Sequence, residues 1–96
     1  MRTHLPVSVI IPLFNAKLTI FRAIDSIIQQ SRKPAEVIIV DDASNDRTSK
    51  NDYLKKIESI LKKNYIKTLI IKNKINPGPA FSRNEGWEKA TQKYIA

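Results

Sequence analysis

Two adjacent carboxylates, Asp41 and Asp42, follow four apolar residues in the stretch EVIIVDDASND, residues 36–46. Carboxylates this close repel each other unless a cation or hydrogen-bond donors meet them, and such arrangements concentrate at functional sites. A carboxylate at the end of a buried strand can accept a hydrogen bond from a nucleobase N–H or a ribose hydroxyl. The structural alternative is a turn, because Asp, Ser and Asn side chains accept backbone N–H bonds and cap helices.

Known acidic and glycine-rich motifs do not account for this pair. A phosphoacceptor receiver domain has paired acids after its first strand and a third Asp at the end of its third strand. Here the third apolar run ends in IIKN, residues 70–73, without an Asp. The only glycines are Gly78 and Gly86, so neither G-x-G-x-x-G nor G-x-x-x-x-G-K-S/T is present. A conventional Rossmann or P-loop nucleotide site is therefore not indicated.

Strand and helix patterns alternate along the chain and must position these acids. Short apolar runs indicate strands, and apolar residues at three- and four-residue steps indicate helices with one buried face. The predicted elements are strands at 7–14, 36–42, 65–73 and 94–96, alternating with helices at 16–31, roughly 49–63 and within 75–92. This β-α-β-α-β-α-β order predicts an α/β fold with a Rossmann-like parallel sheet and flanking helices.

Polar clusters fall where the predicted strands end. Asn15 follows the first strand, Asp41–Asp42 end the second, and Asn73–Asn76 follow the third. Ligands of such sheets bind beyond the carboxyl ends of the strands, so this edge is the expected site.

The last predicted helix carries three residues that we expect to pack inward. Phe81 and Ala90 are expected to face the core, and Trp87 is expected to pack between the helix and the sheet, with a partner surface as the alternative.

The chain is strongly basic. It has 96 residues, with 17 Lys+Arg against 9 Asp+Glu, a formal net charge of +8 and no cysteine. The cysteine count excludes a disulfide framework and a thiolate metal site. The lysines are scattered and no nucleic-acid motif is present, so a solvated basic face is the simplest interpretation, with anionic membrane and nucleic acid as alternatives. A non-catalytic basic α/β module that binds RNA or anionic membrane is accordingly the second functional hypothesis.

Three segments together resemble the start of a family-2 glycosyltransferase with the GT-A fold. They are VSVIIPLFN, EVIIVDDASNDRT, and NPGPAFSRNEGWEKA before YIA, and they span Val7 to Ala96 in the family's order and spacing. The resemblance implies an inverting enzyme that transfers a sugar from a nucleotide-sugar donor, a UDP-sugar in the first instance, to a saccharide or lipid-linked acceptor. It also implies a role in cell-surface polysaccharide or glycan synthesis, with no nucleic-acid partner.

The resemblance further implies a nucleotide-sugar-binding set. In the family the second acid of the pair bonds the uracil or other base, which here is Asp42, whereas Asp41 holds the turn. The first strand contributes backbone contacts to base and ribose, and Asn76 and Arg83 position the nucleotide. The complete implied set is Pro12, Leu13, Phe14, Asn15, Asp42, Asn76 and Arg83.

Three positions depart from the family's usual pattern. Phe14 stands where Tyr is common, Pro77 replaces the first Gly of the third motif, and Gln92–Lys93 stand where Gly-Glu is usual. None of these departures falls at Asp42 or Arg83, so they affect the assignment to a subfamily more than the assignment to the family.

In the family, the fourth strand leads to an Asp-x-Asp motif that holds Mg²⁺ or Mn²⁺ on the donor diphosphate, and a catalytic carboxylate lies further on. Residues 1–96 are therefore expected to be the N-terminal nucleotide-sugar-binding part of a catalytic domain that is incomplete at its C-terminus. We expect this part alone to bind no metal, to hold no catalytic residue, to be inactive and to self-associate. The expected location is the cytoplasm, with peripheral attachment to the inner face of the membrane as an addition.

Overall fold

The computed structural model of the chain describes residues 4–13, 17–42, 51–73 and 79–96. Strands and helices alternate through these residues. They are β1 (Leu5–Leu13), α1 (Lys17–Ile28), β2 (Pro34–Asp42), α2 (Asn51–Lys63), β3 (Lys67–Asn73), α3 (Pro79–Lys89) and β4 (Tyr94–Ile95). The predicted α/β class and the predicted β-α-β-α-β-α-β order are confirmed. None of the helices in the described residues has the length and apolar composition that a membrane span needs.

The strands form one parallel sheet in the order β3-β2-β1-β4. β2 is flanked on both sides, and its residues Val37 to Val40 are completely buried. A strand that is covered on both faces has no solvent-facing side, which explains why this run is apolar throughout instead of alternating.

Helices α1 and α2 cover one face of the sheet. Each places apolar residues at three- and four-residue steps against the strands, as an amphipathic helix does. The buried residues of this side are Leu13, Ile20, Ile24, Ile27, Val37, Ile39, Leu54, Ile57, Leu61 and Ile66. The large apolar core therefore lies between the sheet and this pair of helices.

Helix α3 covers the other face and packs through small residues. Among its described side chains, residues 81–89, the buried positions are Ser82 and Gly86, one turn apart. A Cβ added to Gly86 would lie 2.4 Å from Cγ2 of Ile10, so the helix backbone rests directly on β1. Glycine is required here for close approach.

The small residues of α3 turn its large apolar side chains outward. Phe81 is 53% exposed and Trp87 is 56% exposed, so the predictions that they pack inward are wrong. Because Ser82 and Gly86 face the sheet, the residues before and after them point to the flanks of the helix. Ala90 does pack against the smaller cluster on this face, as predicted.

β3 begins at Lys67 and not at residue 65, because the preceding helix ends in a Schellman motif. Tyr65 has a positive φ of 60°. Its N–H donates to the carbonyl of Lys62 at 3.0 Å, and the N–H of Ile66 donates to the carbonyl of Leu61 at 3.0 Å. These two bonds cap α2 and keep both residues out of the strand.

The other element ends differ from prediction by a few residues. α1 ends at Ile28 and not at residue 31, and β1 begins at Leu5 and not at residue 7. β2 begins at Pro34, two residues early, where the missing N–H of a first strand residue is tolerated.

Candidate functional site

The carboxyl ends of three strands meet at one edge of the sheet. Leu13 of β1 pairs with Asp41 of β2, and Asp42 pairs with Asn73 of β3. The predicted convergence of these strand ends is confirmed for the described residues. Asn15 and Asn76, which were predicted to join them, lie outside the described residues.

Helix α3 begins at this same edge. The residues after its C-terminus, Thr91 and Gln92, contact Glu36 and Ser8 in the amino-terminal halves of β2 and β1. α3 therefore runs antiparallel to the strands, from the carboxyl edge toward the amino edge. Its first turn consequently lies next to the ends of the strands.

Of the two acids of the pair, only Asp41 has a described side chain. Asp41 is 1% exposed, so its carboxylate is enclosed by the protein and not presented to solvent. Asp42 is the last residue of β2, and its side chain lies outside the described part of the structure. The burial of Asp41 fits a role in the turn, and leaves Asp42 as the candidate ligand contact.

Of the predicted site residues in β1, Leu13 and Pro12 offer mainly backbone groups to a ligand. Leu13 is fully buried in the core beneath α1 and α2, so its side chain cannot reach a ligand. Pro12 is half-buried and pairs with Val40, and as a proline it offers a carbonyl but no N–H. Phe14 lies outside the described residues.

Arg83 is exposed on α3, about one turn from the start of the helix. Among the described residues it has neither a hydrogen-bond nor an ion-pair partner. A guanidinium group in this position can bind a phosphate or a carboxylate in bidentate fashion. Arg83 is therefore available for the predicted role of positioning a nucleotide.

Sequence reasoning missed the neighbouring Ser82. Its side chain is completely buried, and its hydroxyl oxygen has no hydrogen-bond partner among the described residues. An unsatisfied buried polar group costs about 1–3 kcal/mol. A serine in a helix looks unremarkable in the sequence, so no signal there could have revealed that this hydroxyl is enclosed without a partner.

A second polar cluster lies toward the amino ends of the strands, on the α3 face, and was also missed. Glu36 is 1% exposed. Its Oε1 accepts bonds from Oγ of Ser8 at 2.6 Å and from the N–H of Thr91 at 3.0 Å, and its Oε2 accepts one from Oγ1 of Thr91 at 3.1 Å. The ammonium of Lys67, which is 62% exposed, lies 3.7 Å from Oε2. The N–H of Gln92 donates to the Ser8 hydroxyl at 3.3 Å.

The surroundings of Glu36 keep it ionised. Burial by itself raises the pKa of this carboxyl, but the hydrogen bonds from Ser8 and Thr91, with the charge of Lys67, outweigh burial and lower the pKa below its ordinary value of 4.5. The cluster ties the α3–β4 connection to β1 and β2. It is distant from the carboxyl edge, and we assign it a structural role.

The described residues do not fit a divalent metal. They contain no group of three or more His, Asp or Glu side chains that could hold one. No part of the chemistry is therefore assigned to a metal held by these residues.

A family model described as glycosyl transferase family 2 matches residues 8–96. The chain belongs to glycosyl transferase family 2. The resemblance seen in the sequence is thus confirmed, and it favours a transferase over the alternative of a non-catalytic basic module.

Relatives of this family 2 chain include proteins of polysaccharide and lipid-linked glycan synthesis. A glycosyltransferase of Rickettsia felis is 41% identical over 90 residues, which cover 94% of this chain and 14% of the relative. The putative teichuronic acid biosynthesis glycosyltransferase TuaG of Bacillus subtilis is 38% identical, with 94% and 33% covered. The Escherichia coli enzyme WfaP, a UDP-Glc:α-D-GlcNAc-diphosphoundecaprenol β-1,3-glucosyltransferase, is 37% identical, again with 94% and 33% covered. The chain spans a third or less of the length of these relatives.

The fold also matches a solved glycosyltransferase. The mannosyltransferase PcManGT from Pyrobaculum calidifontis, in complex with GDP-Man and Mn²⁺, superposes with a TM-score of 0.80 at 24% identity. The match covers 97% of this chain and 26% of the mannosyltransferase. The GT-A fold predicted from the sequence is confirmed.

Proposed function

We propose that the protein carrying these residues transfers a sugar from a nucleotide-sugar donor, a UDP-sugar, to a saccharide or lipid-linked acceptor, with inversion at the anomeric carbon. The product would enter cell-surface polysaccharide or glycan synthesis. The observation that carries the proposal is the meeting of the β1, β2 and β3 ends with the first turn of α3, in a family 2 chain. WfaP supports the donor and acceptor classes, since its name gives UDP-Glc and a diphosphoundecaprenol-linked acceptor.

Residues 1–96 would form the donor-nucleotide half of the catalytic domain. Asp42 would accept a hydrogen bond from the base, and the backbone at Pro12 and Leu13, continued by Phe14 and Asn15, would contact base and ribose.

Asn76 and Arg83 would position the nucleotide. The guanidinium of Arg83 suits a diphosphate, because it can donate two parallel hydrogen bonds to phosphate oxygens.

In the complete enzyme the acceptor hydroxyl would attack the anomeric carbon and displace the nucleoside diphosphate in one step. A carboxylate base outside these residues would take the hydroxyl proton. A divalent cation, Mg²⁺ or Mn²⁺, supplies charge stabilisation for a leaving diphosphate when bound. We propose that its ligands also lie outside residues 1–96 and that this part alone binds no metal.

We propose that the isolated 96 residues do not transfer sugar, because the described residues hold no group of side chains that could bind a metal and we place the base outside residues 1–96. Their surface also favours association. Large apolar side chains are exposed along α3 and β4, at Phe81, Trp87, Tyr94 and Ile95. An exposed apolar surface beside a strand edge promotes contact between copies. The complete protein would work in the cytoplasm, attached to the inner face of the membrane where a lipid-linked acceptor is presented.

The test is nucleotide binding by the full-length protein, measured by calorimetry with UDP and with GDP. Asp42→Ala should weaken UDP binding by about 5- to 150-fold, since losing a buried partner costs about 1–3 kcal/mol. Asp25→Ala removes an exposed acid from α1 and is the matched control. Asp41→Asn should change thermal stability more than affinity. Equal UDP affinity in the Asp42 and Asp25 variants would contradict the site, and a preference for GDP would contradict the donor base.

A further inference from the structure

The outward side of α2 is the most basic helix surface in the described part of the chain. Its exposed lysines, which we call the lysine face, are Lys55, Lys56, Lys62 and Lys63, against one exposed acid, Glu58. The described side chains of the other helices are balanced: Arg83 and Lys89 stand against Glu85 and Glu88 on α3, and Arg22 stands against Asp25 on α1. The sequence suggested scattered lysines, whereas the fold gathers four of them on one side.

The spacing of these lysines places them in two rows. Lys55 and Lys62 are seven residues apart, and so are Lys56 and Lys63, which is nearly two helical turns. Each pair therefore lies on one side of the helix, about 10.5 Å apart along its axis. The opposite side of α2 is buried against the sheet through Leu54, Ile57 and Leu61. All four charges thus point into solvent together.

The lysine face is not neutralised within the described part of the protein. No described carboxylate lies within ion-pair distance of its ammonium groups. Lys56 instead lies 5.8 Å from the centre of the Phe21 ring, and this ring lies 6.1 Å from that of Tyr53. Helices that lie on a membrane combine lysines with aromatic residues, and both residue types meet at this surface.

A groove extends the same surface onto the edge strand β3. It has a volume of about 340 Å³ and runs between α2 and β3. Its lining is Leu54, Lys55, Glu58, Ile70 and Lys72. It therefore adds a fifth lysine, Lys72, and an apolar floor along which lysine stems can lie.

The last turn of α2, with Lys62 and Lys63, is separate from the candidate nucleotide site, whereas Lys72 pairs with Asp41 at the carboxyl edge itself. α2 covers a face of the sheet, together with α1, whereas the strand ends and the first turn of α3 form the carboxyl edge. A partner bound at Lys62 and Lys63 would leave that edge open to a donor.

We propose that the lysine face of α2 docks the protein onto a membrane surface of anionic phospholipid. Ammonium groups are mobile point charges, which suit a field of headgroup phosphates without fixed geometry. Nucleic-acid recognition motifs are absent from the sequence, which favours lipid over RNA as the polyanion. The inference deepens the proposed function and rests on it, because a lipid-linked acceptor is presented at such a surface.

The test is co-sedimentation of the full-length protein with phosphatidylcholine vesicles that contain phosphatidylglycerol, at low salt. K62Q/K63Q should lower partitioning about 25-fold, because each lysine near an anionic surface contributes about fivefold. K55Q/K56Q should lower partitioning similarly. This variant is a control for helix stability, because K62Q/K63Q removes two cations from the C-terminal turn of α2 and K55Q/K56Q does not. The control K89Q/K93Q removes the same charge from the α3 side and should change partitioning less than about threefold.

Equal losses in the α2 and α3 variants would overturn the proposal, since they would show a response to net charge alone. Equal retention of the unmodified protein on pure phosphatidylcholine would do the same, as would tighter binding to single-stranded RNA than to the anionic vesicles. UDP affinity measured without vesicles should be unchanged in K62Q/K63Q. Vesicle binding without UDP binding would contradict the proposed function but support the docking surface. UDP binding without vesicle binding would support the proposed function but contradict the docking surface.

Discussion

Replacing Glu36 by alanine tests whether a buried carboxylate holds the α3–β4 connection on the sheet. The change removes the acceptor for the Ser8 hydroxyl and for two donors of Thr91. Ser8 is completely buried, so its hydroxyl cannot turn to water, whereas Thr91 is exposed and can. Hydrogen bonds to a charged group contribute about 1.5–3 kcal/mol each, and a buried hydroxyl left without its partner costs about 1–3 kcal/mol. We expect Glu36→Ala to lower the free energy of unfolding by about 2–4 kcal/mol, because the Ser8 hydroxyl is orphaned whereas Lys67 and Thr91 can turn to water.

Two further variants rank the contacts of Glu36 in a urea titration followed by far-UV circular dichroism, the measurement that is also used for Glu36→Ala. Ser8→Ala should cost about 1.5–3 kcal/mol, because it removes the shortest charged hydrogen bond. Lys67→Ala should cost less than about 1 kcal/mol, because the lysine is mostly exposed. If Lys67→Ala were as costly as Glu36→Ala, or if Glu36→Ala cost less than about 1 kcal/mol, the reasoning would be refuted.

Glu36→Gln isolates the charge and gives a pH dependence. The pKa of Glu36 is lower in the folded protein than its ordinary value of 4.5, so the folded state favours the ionised form. The ionised group therefore stabilises the protein fully above that value, and its contribution is lost as the pH falls through the folded pKa. The stability difference between the unmodified protein and Glu36→Gln should be constant near neutrality and shrink below about pH 4.5.

Two more substitutions test the packing of α3 and the cap of α2. Gly86→Ala should lower the free energy of unfolding by about 1–3 kcal/mol, because the new Cβ would lie 2.4 Å from Cγ2 and 2.8 Å from Cδ1 of Ile10. Adding Ile10→Ala should recover part of the loss in a double-mutant cycle, and full additivity would contradict the contact. Tyr65→Gly should raise stability by about 1 kcal/mol, since glycine adopts a positive φ without strain. Tyr65→Ala keeps a Cβ and should give no comparable gain in the same titration.

The sequence predicted the order of elements because their apolar patterns are local. β2 is the clearest case: its apolar run is longer than a turn and shorter than a helix, and it proved to be buried on both faces. The start of β3 was predicted too early because aromatic and β-branched residues favour strands, whereas Tyr65 and Ile66 form the cap of α2.

Contacts between distant residues could not be predicted. Glu36 looked like the polar first residue of a strand, and its partners Ser8 and Thr91 lie 28 and 55 residues away. The inward side of α3 was misassigned because hydrophobicity points to Phe81 and Trp87, whereas Gly86 permits the close approach to the sheet.

The location of the candidate site followed from topology, since parallel strands bring their carboxyl ends to one edge. The roles of Asp42 and Arg83 came from the family resemblance and stay predictions. Ser82 was missed because its burial depends on how α3 sits on the sheet.

The order β3-β2-β1-β4 has a consequence for synthesis. β1 is synthesised before the other strands of the sheet, yet its second neighbour is β4: Val7 pairs with Tyr94, and Ala96 exchanges two backbone hydrogen bonds with Ser8 and Ile10. One side of the amino-terminal strand therefore remains without its partner until about ninety further residues have been translated. Contacts this distant in sequence slow folding and leave strand edges open to association in the meantime. During synthesis this sheet is thus most exposed to misassembly at β1.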